Sequence, residues 1–154
     1  MTTYSAEQVA AISDADARRI LTGPGIPDCP NVGFFAAETL APVGKDPSVT
    51  QIGAFGKPEA PVGIDATGAV VNFSPWSDTG SSVVNTSVRA FVDTLAAIAE
   101  FGPLPSDYQA AEAVADRLRP VLVGIDPAAL SDHDGVWYNM LDEIAAGMYG
   151  DAPA

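Results

Sequence analysis

The stretch "SSVVNTSVRAFVDTLAAIAEF", Ser81 to Phe101, changes its hydrophobic period in the middle and decides the fold class. Its first residues alternate between polar and apolar, which is typical of a strand with one buried face. After Asn85-Thr86-Ser87, apolar residues recur every three or four positions, the spacing of one helix face. The residues on this face are Val88, Phe91, Val92, Leu95, Ile98 and Ala99. The stretch therefore predicts a strand followed at once by a helix.

Helix capping explains the Asn85-Thr86-Ser87 step. Side-chain oxygens of Asn, Thr and Ser accept hydrogen bonds from the first free amides of a helix, and each cap contributes about 1 kcal/mol. No histidine or acidic residue adjoins the step in the sequence to activate a hydroxyl for catalysis. We therefore expect one of these residues to cap the helix, and Phe91 and Leu95 to be buried between the helix and a sheet.

A β-hairpin is predicted immediately before this stretch. Val62 and Ile64 precede the turn sequence Asp65-Ala66-Thr67-Gly68, and Val70 and Asn72 follow it. Asp at the first position is typical of an Asx-turn, and Gly at the last adopts a positive φ at no steric cost. With the strand "SSVVN", this hairpin predicts a meander of three or four antiparallel strands.

The N-terminal part of the chain has weaker patterns. Ser5 or Ser13 is positioned to cap a helical segment that ends after Leu21, at "TGPGIPDCP". "NVGFFAAETLAPV" predicts a short strand, with or without an edge segment after it. The Pro and Gly residues of "APVGKDPSVTQIGAFGKPEAP" predict a loop, with at most a short strand at about 50–55.

Two helices are predicted after residue 101. The first begins at Ser106 or Asp107, has Tyr108 among its apolar positions, and is limited or kinked by Pro120. The second spans about 136–148, with an apolar stripe of Trp137, Met140, Leu141, Ile144 and Met148. We predict one α+β domain over residues 1–154, with tails at about 1–4 and 150–154. In this domain N-terminal and C-terminal helices flank an antiparallel β-sheet.

The charge of the chain is strongly negative. Twenty Asp and Glu residues oppose 7 Lys and Arg residues, which gives a formal net charge of −13. Such a surface repels phosphate backbones, so direct binding to nucleic acid is not expected, and it attracts basic partners. Two interpretations remain open: a solubilising or halophilic surface, and a surface that faces a basic partner.

The sequence also bears on the compartment. No apolar run approaches the roughly 20 residues that a membrane span needs, and the N-terminus lacks the basic start and apolar centre of a secretory signal. The single cysteine, Cys29, forms no internal disulfide. The resulting expectation is a cytoplasmic protein without membrane association.

No catalytic, metal or cofactor site is predicted. His133 is the single histidine, and the acids around it in "SDHDG" are typical of an exposed loop. Cys29 lies in a turn without an activating partner. "GAFGKPEAPVG" lacks the Ser or Thr after Lys and the following helix of a phosphate-binding loop. Asp126, Asp132 and Asp134 lack the spacing, the central Gly and the terminal Glu of a calcium loop.

Four segments together give the chain a resemblance to a known family. They are "LTGPGIP", "VGIDATGAVVNF", "VVNTSVRAFVDTLAAIAEF" and "VWYNMLDEIAAGM". Their order and spacing, over roughly Asp16 to Gly147, resemble the SUKH superfamily and most closely its SUKH-4 branch of bacterial immunity proteins. The step from Asn85-Thr86-Ser87 to Phe91 is the most specific part of the resemblance, and residues 32–61 match less clearly.

The resemblance implies an α+β binding scaffold that is not an enzyme. Members of the family are cytoplasmic antitoxins of polymorphic toxin systems, and they neutralise nuclease and deaminase toxin domains by direct binding. This favours the partner-facing interpretation of the acidity, because negative potential speeds association with a basic cleft. The motif residues carried over look structural and are Gly25, Pro27, Asp65, Gly68, Asn85, Ser87, Phe91 and Trp137.

The candidate partner-binding residues lie on two polar loops. They are Trp76 and Asp78 in "SPWSDTG", and Asp132 and Asp134 in "SDHDG". Trp76 either covers the sheet or anchors an interface. Two other functions remain open. One is an interaction or accessory module not tied to a toxin, and the other is a small-molecule-binding protein, for which the sequence offers no convergent polar set.

Overall fold

The change from strand to helix at Asn85-Thr86-Ser87 is present in the structure. A computed structural model describes residues 1–56, 58–76 and 80–150. The strands are β1 Phe34–Val43, β2 Asp46–Phe55, β3 Ala60–Ile64, β4 Val70–Asn72 and β5 Ser82–Asn85. The helices are α1 Ala15–Thr22, α2 Val88–Ala99, α3 Tyr108–Ile125, α4 Pro127–Ser131 and α5 Val136–Ala145, with a 3-10 turn at Pro30–Val32. The predicted single α+β domain, an antiparallel sheet with helices, is confirmed.

The described strands form one antiparallel sheet in sequence order, β1-β2-β3-β4-β5. The predicted hairpin is the β3–β4 pair, and Gly68 in its turn has a φ of 89°. Asp65 Oδ1 accepts hydrogen bonds from the backbone nitrogens of Thr67 at 2.9 Å and Ala69 at 3.1 Å. The predicted Asx-turn and meander are confirmed, and the meander has five strands rather than three or four.

The loop predicted between the first strand and the β3–β4 hairpin is wrong. β1 continues to Val43 and β2 already begins at Asp46, so a hairpin of two ten-residue strands replaces most of that loop. Pro42 lies on the edge strand and Pro47 lies next to the turn. Proline is tolerated at both kinds of position, because an edge strand or a residue next to a turn does not need the backbone N–H that proline lacks.

The outer edge of β1 is covered by earlier parts of the chain. Phe34 exchanges two backbone hydrogen bonds with Cys29, at 2.9 and 3.0 Å between nitrogen and oxygen. The nitrogen of Ala36 donates to Asp28 Oδ1 at 2.8 Å, and the Tyr4 hydroxyl donates to the carbonyl oxygen of Ala37. Free edges invite pairing with other chains. This part of β1 is therefore already paired.

Helix α1 is shorter than the sequence predicts. Asp14 caps it, because Asp14 Oδ2 accepts a hydrogen bond from the nitrogen of Ala17 at 2.8 Å, and the prediction of a Ser13 cap is wrong. Ser5 does cap an isolated turn, and its hydroxyl accepts from the nitrogen of Gln8 at 3.1 Å. The segment before α1 therefore consists of turns that still bury apolar side chains, namely Tyr4, Val9 and Ile12.

The main core lies between the inner face of the sheet and the helices, around an aromatic cluster. The ring centroids of Phe34 and Phe91 are 5.1 Å apart, those of Phe34 and Phe55 5.4 Å, and those of Phe55 and Trp137 6.0 Å. Each of these pairs has an edge-to-face geometry, which aromatic rings favour. Phe91 and Leu95 are fully buried, so their predicted burial is confirmed.

The C-terminal helices depart from the sequence prediction in three places. Pro120 does not end α3, which runs on to Ile125, and the packing of the buried residues Leu118 and Leu122 offsets the hydrogen bond that the proline removes. Tyr108 and Met148 were expected on apolar faces, but they are 69% and 68% exposed. Tyr108 is the first residue of α3 and Met148 lies beyond the end of α5, so both side chains lie at the margin of the core.

A second, smaller hydrophobic cluster lies on the outer face of the sheet. Successive strand residues point to opposite faces, so Val70 belongs to the main core and Val71 to this cluster. The members of the cluster are Val43, Val49, Val71 and Phe73. Elsewhere the outer face is open, and Phe35 and Val83 are 55% and 50% exposed.

Ser87 is the cap of α2, because its hydroxyl accepts a hydrogen bond from the nitrogen of Ala90 at 3.1 Å. We predict that Ser87→Ala lowers the free energy of unfolding by about 1 kcal/mol, since that amide loses its partner. Urea denaturation measures the loss. Ser13→Ala is the matched control, because Asp14 caps α1, and its expected effect is within about 0.5 kcal/mol. Equal losses in the two variants would contradict the assignment.

Candidate functional site

Trp76 lies on the surface in the loop after β4. Its side chain is 82% exposed, so the interpretation in which the ring covers the sheet is wrong. The backbone nitrogen of Trp76 donates to Ser74 Oγ at 3.2 Å, which shapes the turn that presents the ring. Asp78, predicted beside it, lies outside the described residues.

Asp132 and Asp134 lie on an exposed turn between α4 and α5. Asp132 Oδ1 accepts a hydrogen bond from the nitrogen of Asp134 at 2.9 Å. The ring of His133 stacks on Tyr138, with 4.6 Å between centroids, and the guanidinium of Arg119 lies 5.4 Å from the centroid of the same Tyr138 ring. The turn therefore presents two exposed carboxylates, and the nearby ring of Tyr138 is already in contact with His133 and Arg119.

Trp76 does not contact the turn that carries Asp132 and Asp134. Within residues 1–56, 58–76 and 80–150, no hydrogen bond, ion pair or ring contact joins Trp76 to Asp132 or Asp134.

Cys29 and His133, the candidates for a catalytic nucleophile and base, do not contact each other. Cys29 is fully buried, its Sγ lies 3.7 Å from the carbonyl oxygen of Leu95, and burial raises the pKa of the thiol. A raised pKa lowers the fraction of reactive thiolate. His133 is exposed and contacts Tyr138 rather than Cys29. No Cys-His pair is formed by these two side chains.

Among the described residues, no three His, Cys, Asp or Glu side chains are grouped so as to hold a metal ion. None of the helices formed by these residues combines the length and the apolar character that a bilayer span requires.

A polar cluster lies inside the protein, where β5, α2, α4 and α5 meet. Asp126 is only 4% exposed, and its carboxylate accepts three hydrogen bonds. The donors are Asn85 Nδ2 at 3.0 Å, the nitrogen of Thr86 at 2.8 Å and Thr86 Oγ1 at 3.1 Å. Trp137 Nε1 donates to Asn85 Oδ1 at 2.8 Å, and Asn85 Nδ2 also lies 3.5 Å from Thr94 Oγ1. We call these five residues the Asn85 cluster.

The Asn85 cluster gives Asn85 a different role from the one predicted. Asn85 was one of three candidates for the cap of α2, but Ser87 is the cap and the Asn85 side chain faces the interior. Every buried side-chain nitrogen or oxygen of the described residues has a hydrogen-bond partner, so the cluster is fully satisfied. It holds the end of β5 to the last helix through the bond between Asn85 and Trp137.

Sequence reasoning missed Asp126, which it considered only as part of a rejected calcium loop. Asp126 stands before Pro127, at the break between α3 and α4. An Asp before Pro reads as an ordinary turn residue. Its partners come from residues far away in the sequence, so no local pattern identifies this role.

The comparisons with known proteins agree with the fold and with the sequence motifs. The model of the SUKH-4 immunity protein family matches residues 1–143. No curated protein and no solved structure gives a significant match. Because the family match spans nearly the whole sequence and includes every described strand and helix up to Glu143 in α5, the chain belongs to the SUKH-4 immunity protein family.

Proposed function

We propose that this immunity protein neutralises a cognate toxin domain that acts on nucleic acid or nucleotides, by binding it directly in the cytoplasm and without catalysing a reaction. Membership of the SUKH-4 family supports the immunity role. The net charge of −13 supports the finer proposal, because enzymes that act on nucleic acid carry basic clefts that a negative surface can mask.

The pattern of ion pairs is the observation that carries this proposal. In the described ranges, Asp16 lies 3.0 Å from both Arg19 and Arg89, and Asp142 lies 3.5 Å from Arg119. Two carboxylates thus engage three of the 7 basic residues. Most acidic side chains in these ranges therefore have no cation of the same chain beside them, and their charge is available to a partner.

We place the contact with the toxin at the two loops that carry Trp76, Asp78, Asp132 and Asp134. When a partner covers an exposed Trp, a large apolar area is removed from water, which favours binding. Trp is also enriched among the residues that dominate binding energies. Asp132 and Asp134, on an exposed turn, add negative potential to the proposed contact surface. Charge pairing at such a rim raises the association rate more than it slows dissociation.

The test is co-expression with each toxin domain encoded beside the gene, followed by binding kinetics at low and high salt. We expect association to slow as salt rises, while dissociation changes less. Trp76→Ala should weaken the complex about thirtyfold, which corresponds to the roughly 2 kcal/mol of a binding hot spot. The paired Asp78→Lys, Asp132→Lys variant should mainly reduce the association rate.

Two variants serve as matched controls. Tyr108→Ala removes another exposed aromatic ring, and Glu112→Lys reverses an exposed charge on α3. Both should bind the toxin nearly as the wild type does, and all variants should keep the wild-type melting temperature. The proposal is wrong if no neighbouring toxin binds, or if binding is indifferent to both salt and the loop substitutions.

A further inference from the structure

The open part of the outer sheet face contains a shallow concavity between β1 and β2. Its volume is about 290 Å³, and we call it the β1–β2 concavity. The side chain of Phe35 forms one wall, and Glu59 and Gln51 lie at its border, over a floor of small residues that includes Gly53 and Ala54. The volume falls just below the range of about 300 to 1,000 Å³ that is usual for small-molecule sites.

Three of the residues that line the concavity, Gly33, Gly53 and Gly56, bring no side chain into it. A Cβ atom at Gly53 would lie 2.6 Å from the buried ring of Phe34 and 2.6 Å from the carbonyl oxygen of Phe35, so the packing of the core below the concavity requires glycine there. Gly33 and Gly56 have φ values of 70° and 64°, and the nitrogen of Gly56 donates to the carbonyl oxygen of Gly33 at 3.0 Å. A side chain at either position would be strained.

The polar side chains that line the concavity offer hydrogen-bond acceptors, and Glu59 adds one negative charge. Gln51 Nε2 already donates to the carbonyl oxygen of Gly53 at 3.2 Å, which leaves the amide oxygen of Gln51 as an acceptor. In the part of the chain that the structure describes, no Lys or Arg lies within ion-pair distance of Glu59. Phe35, 55% exposed, adds an aromatic surface. These groups suit a flat cation with an apolar stem.

We propose that the β1–β2 concavity receives an arginine side chain of the toxin. The guanidinium carries five donors and no acceptor, stacks on aromatic rings and pairs with carboxylates, so it matches Phe35, Gln51 and Glu59 together. Its methylene stem lies along the apolar floor while the charged head meets Glu59 at the border. Lysine, with a compact and strongly hydrated head, fits the aromatic wall less well.

The position of the concavity connects it with Trp76. Phe35 pairs with Ala54 across β1 and β2, Ala54 pairs with Pro61 on β3, and the nitrogen of Phe73 donates to the carbonyl oxygen of Pro61 at 2.9 Å. This row crosses the outer face from the concavity to the loop that carries Trp76. One toxin surface can therefore cover both, and in this respect the inference rests on the proposed function.

The first test needs no toxin. N-acetyl-arginine methylamide is titrated into the ¹⁵N-labelled protein, and the citrulline analogue, which has the same shape without the charge, is the matched probe. We expect millimolar concentrations of the arginine probe to shift the amide signals of Gly53, Ala54 and Gly56, and the citrulline probe to leave them in place. Glu59→Gln and Phe35→Ala should each abolish the shifts, whereas Glu112→Gln should not. Shifts that are absent, or equal with citrulline, would overturn the proposal.

The second test uses the cognate toxin found by co-expression. Glu59→Gln should weaken the complex about tenfold or more, the effect of removing a charge-assisted hydrogen bond. Phe35→Ala should weaken it as well, and Glu112→Gln should not. Melting temperatures identify any variant that acts through folding. If Trp76→Ala weakens the complex while Glu59→Gln and Phe35→Ala do not, the proposed function stands and this inference is wrong. If the wild type binds no neighbouring toxin, both are wrong.

Discussion

Phe91→Ala is expected to lower the free energy of unfolding by about 3 to 5 kcal/mol. Phe91 is fully buried, and its ring packs edge-on against Phe34 at 5.1 Å and lies 6.4 Å from Trp137. Truncation removes the transfer energy of the ring and leaves a cavity as well. The walls of that cavity belong to β1, α2 and α5, which other contacts hold in place, so the site cannot collapse to fill it.

Urea denaturation of the wild type and the variant measures this loss. Phe35→Ala is the matched control, because the same chemical change is made at the neighbouring strand residue, whose side chain is 55% exposed on the other face. Its expected cost is about 1 kcal/mol or less, in proportion to the smaller area buried. Unchanged stability in Phe91→Ala, or equal losses in the two variants, would show that α2 does not pack on the sheet as described.

The sequence predicted those elements whose signals are local. The change of period after Val84 marks the start of α2, and the Asp65 to Gly68 turn marks the β3–β4 hairpin. In each case the side chains that form the element or its turn are close together in the sequence. The same reasoning failed for β1 and β2, because Pro42 and Pro47 argue against a strand unless their edge and turn positions are known.

The functional surface was predictable only in part. Composition indicates a negative surface, but it does not say which carboxylates have cations beside them, as Asp16 and Asp142 do. A Trp in a polar loop is compatible with burial or exposure, and only the packing of the loop decides. Gln51 and Gly53, which line the β1–β2 concavity, flank a bulge in the β2–β3 pairing, and no sequence pattern reveals that register shift.

The Asn85 cluster joins side chains that come from separate motifs of the sequence. Asn85 comes from the strand-to-helix step and Trp137 from the last helix, and their side chains meet at 2.8 Å. Asp126, from the break between α3 and α4, completes the contact. Hydrogen bonds of this kind fix one arrangement of the elements, because any other packing would bury the same polar groups without partners.

Asp126→Ala is therefore expected to destabilise the fold by about 2 to 4 kcal/mol. The substitution leaves the buried amide of Asn85 without its acceptor, which costs about 1 to 3 kcal/mol, and it removes two hydrogen bonds that Thr86 donates to a carboxylate. The loss at Thr86 is smaller, because that residue is exposed and water can replace the acceptor. Asp126→Asn keeps the volume but points a donor at other donors, so we expect an intermediate loss of about 1 to 3 kcal/mol. Asp134→Ala, at an exposed carboxylate, is the control and should change stability by about 0.5 kcal/mol at most.

A double-mutant cycle separates the cluster from a simple sum of packing losses. Asn85→Ala and Asp126→Ala each remove the hydrogen bond between Asn85 and Asp126, so the double variant should lose less stability than the two single losses together, by about 1 kcal/mol or more. The fluorescence of Trp137 gives a second readout in a Trp76→Phe background, because the chain has two Trp residues. Since Asn85 holds the indole N–H, Asp126→Asn should shift that emission even where the protein remains folded. Additive losses with unchanged emission would mean that Asp126 and Trp137 are independent, and that the cluster does not couple β5 to the last helix.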